Sequence, residues 1–451
     1  MKSKNLYTVA LFLVSMVFVV GTACKDKNGG GGTVDPKPNP TDSIVVDNTP
    51  RSFTFSTETA TLNTGSTKSS RMLNAVTTTS KLSKYGGWKS KKTTAKGFFY
   101  TLKTADKGWT LVDPEGYYFM TVGVNSVERL GAQTLPDSLW SIGANTMGSW
   151  ADESINTSGG KKMPYCPRWN LMLNFKNTTT SRQNLYNLGI IPVFDPAFVA
   201  FADNTFKVAA TYKNDPYILG YFIDNELPIY DNATYGNVLD RYLAIADKND
   251  PNFVATKNWM VARKGANYAI DQTDRDEFPG YVVGTYFRIA SENLKKYDAN
   301  HLNLGSRFHG GARKSKAIFR EAGKYVDVLS VNVYDTWTLP TDEMDLWVNE
   351  SGKPFFISEY YAKAQDSGLT NGTGAGWFVK TQADRARFFE NFTLAVLEHK
   401  GCVGFHHFRH KDDSDTNNGL VSLQNKWYEA LKASYFKLAR DIYFLREGMV
   451  K

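Results

Sequence analysis

Two glutamates stand where a short apolar run gives out, a placement that lets a carboxyl group work as acid, base or nucleophile. One closes Ile218-Leu219-Gly220-Tyr221-Phe222-Ile223-Asp224-Asn225-Glu226-Leu227-Pro228, the other Pro354-Phe355-Phe356-Ile357-Ser358-Glu359-Tyr360-Tyr361. Burial at the end of an apolar strand raises a carboxyl pKa, and a charged neighbour tunes it further. A pair tuned this way across one mouth is equipped to break a glycosidic bond: one protonates the leaving oxygen, the other attacks the anomeric carbon. The competing reading makes each a salt-bridged rim residue. The dipeptides alone do not decide, since Asn349-Glu350 and Ser291-Glu292 also occur in turn and helix contexts. Their place among the strands does.

After Phe98, short β-branched runs alternate with stretches of helical periodicity. The runs are 118–124, 143–148, 190–194, 218–223, 302–305, 326–333, 354–357 and 402–405, with helices expected at 236–247, 281–296, 314–322 and 382–399. Short buried strands alternating with amphipathic helices predict a parallel sheet. Eight of them predict an α/β fold of the (β/α)8 TIM-barrel type. An open doubly wound sheet is disfavoured because no glycine-rich phosphate loop follows any run. Functional residues of such a barrel sit at the C-terminal strand ends, and Glu226 and Glu359 end the fourth and seventh runs. The interval from 226 to 301 is long enough to carry extra helices over that mouth.

Asn225-Glu226 ending the fourth run, Tyr334 ending the sixth (Val331-Asn332-Val333-Tyr334) and Glu359 ending the seventh resemble the retaining glycoside hydrolases of clan A. Several stretches are similar to the β-agarases of glycoside hydrolase family 50. They are Tyr85-Gly86-Gly87-Trp88, Gly108-Trp109-Thr110-Leu111-Val112-Asp113-Pro114-Glu115-Gly116, Tyr221 to Glu226, Leu304-Gly305-Ser306-Arg307-Phe308 and Ile357-Ser358-Glu359. The resemblance runs over about residues 85–431. It implies cleavage of β-galactosidic linkages in a polysaccharide or oligosaccharide, without a cofactor. It also implies Glu226 as acid/base, Glu359 as nucleophile, Asn225 on the sugar 2-hydroxyl and Tyr334 orienting Glu359. Net retention through a covalent glycosyl-enzyme follows, with the carboxyl groups about 5–5.5 Å apart. Two departures stand out. Where such barrels carry a strand-eight tryptophan, Gly404-Phe405-His406-His407-Phe408-Arg409-His410 places His407. Only a remnant of the family's frequent N-terminal carbohydrate-binding-like domain fits before Gly97.

Further candidates surround these residues. Arg307 and His309 on the fifth run are substrate contacts, or Arg307 is a structural ion pair. Trp337 is a sugar platform or a cap on the core. His406, His407 and His410 suggest a metal site, but glycine and aromatics around them indicate strand and loop, so none is assigned. Asp412 to Gly419 imitates a calcium loop, yet its glycine comes one position late and Gln424 replaces the bidentate glutamate; a solvated turn is expected. Two rival functions use the same residues: a clan A exo-β-galactosidase or related hydrolase on a non-agar glycan, and a non-catalytic surface glycan-binding lipoprotein.

The rest of the 451 residues bounds these readings. With 42% hydrophobic and 22% charged residues the chain is neither disordered nor polytopic. Lys2, Lys4, the apolar run 7–20 and Gly21-Thr22-Ala23-Cys24 form a lipoprotein export signal (1–23) with Cys24 as the lipidated residue. A flexible tether (24–50) with four consecutive glycines follows, then a small β region (51–97) and the catalytic barrel (98–445). An outer-membrane lipoprotein held to the membrane only by this anchor is expected. Removing Lys2 and Lys4 takes the formal charge from +8 to +6, weak basicity that gives no reason to expect nucleic acid. Cys166 and Cys402 are expected as two unpaired thiols rather than a disulfide.

Overall fold

A computed structural model describes residues 43–45, 52–61, 66–73, 81–128, 135–157 and 161–449. The expected export signal, Cys24 and most of the tether lie outside the described residues. Among the described residues no helix is long and apolar enough to cross a membrane.

The strand Ser43–Val45 falls inside the span expected as tether. It pairs antiparallel with Ser52–Thr61, which pairs with Thr67–Leu73 from Phe55↔Leu73 to Thr61↔Thr67. The Ser43-Ile44-Val45 run is β-branched enough to take an edge position once a partner strand exists. This hairpin docks on the helix Gln382–Leu397: the amides of Arg71 and Leu73 donate to Asn391 Oδ1 and Glu390 Oε2, each at 2.9 Å. A second antiparallel sheet joins Trp88–Lys92, Tyr117–Phe119, Gly108–Val112 and Tyr100–Thr104 in that order. The expected boundary at residue 97 therefore cuts through one sheet. Its pairing Trp88↔Tyr118 is non-local, and no local pattern announces it.

The remaining sheet pairings are mostly parallel. Thr121–Val124 pairs with Thr146–Met147 on one side and Cys402–His407 on the other; then come Phe355–Glu359 and Leu329–Asn332. Phe308 bridges Val331, Leu302–Asn303 pairs with Gly220–Tyr221, Ile218 bridges Tyr165, and Tyr165 bridges Met147. Followed in this order, the pairing passes through eight chain segments and returns to its start. One segment differs from expectation. Residues 190–194 are not a strand, because Pro192 has no amide to give a central ladder, although Ile190, Ile191 and Val193 are buried. The vacated place is filled around Tyr165. There the carbonyls of Pro164 and Pro167 accept from Met147 and Phe222, so neither proline is asked for an N–H.

Helices occupy Val238–Leu243, Gln272–Tyr297, Lys316–Ala322 and Gln382–Leu397, close to the expected positions. A large apolar cluster including Phe287, Phe319, Trp347 and Phe392 fills the space between strands and helices. A second cluster joins Cys166, Phe222, Leu304, Phe356 and Val403 to Phe99, Leu111 and Phe119 of the antiparallel sheet. The Trp109 amide donates 2.8 Å to the Lys400 carbonyl, at the start of Cys402–His407. The antiparallel sheet thus covers the N-terminal end of the parallel strands and leaves the C-terminal end open for side-chain chemistry. Cys166 and Cys402 are both buried free thiols, with burial pushing Cys402 up to about 11.

Candidate active site

Glu359 is the last residue of Phe355–Glu359 and is 4% exposed. One carboxylate oxygen accepts from Arg307 Nη2 and the other from the Tyr334 hydroxyl. Burial pushes Glu359 up to about 7; Arg307 opposes that, the Glu226 charge adds to it, and the Tyr334 hydrogen bond and Arg168 oppose it. Tyr334 is itself raised well above the usual phenol value by burial and then by the Glu359 charge, so it remains a donor.

Glu226 follows the segment Ile218 to Ile223 and is half-buried. Its Oε1 accepts 2.8 Å from Asn332 Nδ2, and Ser358 Oγ donates 2.6 Å to Asn332 Oδ1. One amide side chain thus links Glu226 to the residue beside Glu359. Two residues before Glu226, Asp224 anchors the loop. Its carboxylate accepts from the amides of Met172 (2.6 Å) and Leu173 (3.3 Å) at the start of the helix Leu171–Lys176, and from the Tyr286 hydroxyl (2.6 Å). A carboxylate there is favoured by the helix dipole, although burial pushes Asp224 up to about 6. Between them, Asn225 Oδ1 is buried with no hydrogen-bond partner among the described residues.

Backbone strain gathers at the same mouth. Ser126, Trp150, Glu226 and Arg307 have φ of 50°, 60°, 48° and 54°, left-handed values that cost a non-glycine residue of order 1–3 kcal/mol. Each follows a parallel segment, and three are held by hydrogen bonds from their own amides. The amide of Glu226 donates to Ser306, that of Ser126 to Ser149, and that of Arg307 to Ser330 Oγ. Gly148 makes a close approach: a Cβ there would lie 2.2 Å from Asn125 Oδ1, the atom that accepts from the Ser149 amide. Asn125 Nδ2 in turn donates 2.7 Å to the Ser358 carbonyl, which also accepts from Arg307 at 3.1 Å.

The other expected contacts divide. Arg307 is fully buried and is the ion-pair partner of Glu359. His309 is half-buried beside the mouth, its ring 6.3 Å from that of Tyr334 and 6.4 Å from that of Tyr230. Trp337 is not an exposed platform. It is 5% exposed, its indole N–H donates 2.9 Å to the Ser69 carbonyl, and its ring packs 5.0 Å from Phe388. His407 does not occupy the floor of the mouth either: it packs against Tyr360 and Phe389, on the helix side of its strand. Strand alternation turns its neighbours the other way. His406 lies against Phe356 and Thr121, and the aromatic presented to the site is Phe408, 5.8 Å from Trp150 and 5.9 Å from Tyr361.

His406 and His407 thus face opposite sides of their strand. Among the described residues no group of three or more His, Cys, Asp or Glu side chains is placed to hold a metal ion. The segment from Asp412 to Gly419 is not a solvated turn: Asp412, Asn417 and Asn418 are buried, and Asp412 accepts from the Gly419 amide (2.7 Å) and the Tyr428 hydroxyl (2.5 Å). Sequence reasoning missed Asn125, Trp150, Arg168, Asn332 and Phe408 in this mouth. The signal for Asn332 lay in plain view, one turn of alternation before Tyr334, on the same face of its strand.

No protein-family model matches the chain. It is 27% identical over 365 residues to β-agarase B of Vibrio sp. (strain JT0107), 71% of this chain and 37% of that one. It is 28% identical over 326 residues to β-agarase A of the same strain, 60% of this chain and 31% of that one. The chain therefore spans about a third of the length of these curated relatives. The crystal structure of BpGH50 superposes with a TM-score of 0.79 at 26% identity, covering 92% of this chain and 100% of that one. An agarase, AgWH50C, superposes with a TM-score of 0.68 at 23% identity, covering 82% and 67%, a likeness of fold. The chain is thus a homologue of β-agarases with the mixed α/β fold of these structures, and that homology supports an enzyme of the glycoside hydrolase class.

Proposed function

We propose that the chain is a retaining glycoside hydrolase of the agarase-like kind, cleaving β-galactosidic linkages by double displacement. Glu359 attacks the anomeric carbon while Glu226 protonates the departing oxygen; Glu226 then deprotonates the water that releases the sugar. Asn225 holds the 2-hydroxyl of the reacting sugar, and Tyr334 with Arg307 aims Glu359. The eight parallel-paired segments are read as a closed (β/α)8 barrel of the clan A kind, which places these groups at one end. The observation that carries the reading is a buried, Arg- and Tyr-clamped carboxylate, with a second carboxylate joined through Asn332 to Ser358, the residue beside it. The β-agarase homologues support the galactan.

The deciding experiment is a product assay over β-galactans, including agar and porphyran oligosaccharides, with Glu359→Gln as control. Release of shorter oligosaccharides by the wild type alone is the expected result; no release from any member favours a non-catalytic glycan binder.

Because the attacking carboxylate must be ionised, kcat/KM should fall as pH drops through the Glu359 value, about 7 in the free protein. The Arg307 cation pulls that value down, so Arg307→Met should move the acid limb upward by about one unit or more. A pH–rate profile with an unmoved limb would remove Glu359 from this role. We further propose export as an outer-membrane lipoprotein, anchored through Cys24. Metabolic labelling with palmitate should mark the wild type, and Cys24→Ser should lose the label.

A further inference from the structure

We propose that Arg168 reads an anionic substituent, a sulfate ester or a carboxylate, on the sugar bound beside Glu359. The inference rests on the glycan-hydrolase reading and names the substrate class within it. Arg168 ends the Tyr165 segment, bridged in parallel to Phe222 and so at the same mouth as Glu226. Its Cζ lies 4.1 Å from the centre of the Trp150 ring, and Arg307 Cζ lies 4.3 Å from the same centre. Two guanidinium groups therefore share one indole next to the candidate nucleophile.

Their situations differ. The Arg307 charge is taken by Glu359, whereas Arg168 has no ion-pair or hydrogen-bond partner among the described residues. Each other described arginine donates to a carboxylate, a carbonyl or a side-chain oxygen. Neither nearby carboxylate accepts a hydrogen bond from Arg168, although the charges of Asp224 and Glu359 act on it. The Glu359 oxygens accept from Arg307 and Tyr334 instead, and Asp224 from two helix amides and Tyr286. A half-buried guanidinium with unmet donors is costly unless something supplies acceptors. Burial lowers Arg168 to about 9, which leaves it cationic at neutral pH. Its planar fork matches the paired oxygens of a sulfate or a carboxylate, and Trp150 holds that plane in place.

The test uses the full chain and three oligosaccharides of one backbone: neutral, sulfated and uronate-bearing. Wild type should favour one or both anionic forms over the neutral one by about 10- to 100-fold in kcat/KM. Arg168→Gln should lose that preference mainly through KM, with a loss at least tenfold smaller on the neutral form, and Arg168→Lys should restore part of it. Which anionic form responds separates sulfate from carboxylate. Calorimetric binding to Glu359→Gln, with and without Arg168→Gln, reads the same selectivity independently of turnover. Equal affinity for all three, or an equal loss on all three in Arg168→Gln, overturns the inference. Absence of hydrolysis by the wild type overturns the hydrolase reading instead.

Discussion

Glu359→Gln is expected to lower kcat on the cleaved glycan by at least about 10⁴-fold, the scale on which removal of a covalent nucleophile acts. The amide is nearly isosteric with the carboxylate. Its oxygen still accepts from Arg307, so the substituted side chain keeps its place at the end of Phe355–Glu359. What it loses is the negative charge that makes the carboxylate oxygen a nucleophile toward the anomeric carbon. Unchanged circular dichroism with abolished turnover would separate chemistry from folding, and a variant retaining more than about 1% of wild-type kcat would contradict the assignment. On the proposed mechanism, the hydrogen bonds from Arg307 and Tyr334 let this carboxylate be both buried and ionisable. Without them, desolvation would hold it protonated in the working range; with them, it is poised near 7.

Glu226→Ala should have the second-largest effect, about 10²–10⁴-fold on natural glycans, because it removes acid–base assistance and leaves the nucleophile intact. The loss should shrink on aryl galactosides, whose leaving groups need no proton. Azide, an anion that attacks without a base, should restore turnover in the alanine cavity and yield a β-glycosyl azide. Proton NMR of the first product reads the stereochemistry directly. An inverted product from the wild type would rule out double displacement, and an α-configured azide would take the acid/base role away from Glu226. Asn332 is the structural reason to expect Glu226 and Glu359 to act as a pair. Its side chain donates to Glu226 and accepts from Ser358, the residue before Glu359, so one amide fixes Glu226 against the strand end that carries Glu359.

How much of this is legible in the chain alone follows from the range of each interaction. Glu226 and Glu359 can be picked out because apolar runs of strand length end at them, and period-two burial is local information. The parallel arrangement of most runs is legible for the same reason. The run at 190–194 misleads because burial and strand pairing are different properties: its side chains are buried, yet Pro192 cannot serve a ladder. The segment at Tyr165 is hidden by the prolines on either side, which contribute only carbonyls there.

His407 and Trp337 show the limit of reading residue type without orientation. One turns to the helix side of its strand, the other is captured by the Ser69 carbonyl, and neither outcome is written in the neighbouring residues. The partners of the two glutamates are likewise beyond local reading: Asn332 lies 106 residues from Glu226, and Arg307 lies 52 from Glu359. Such contacts exist only once the strand ends are brought side by side. The chain's own pattern determines which carboxyl groups reach a strand end. Which cation clamps one, which amide joins the two, and which arginine is left unpaired over Trp150 are settled by packing, because burial makes hydrogen bonds and charges decisive only between groups the fold has brought together.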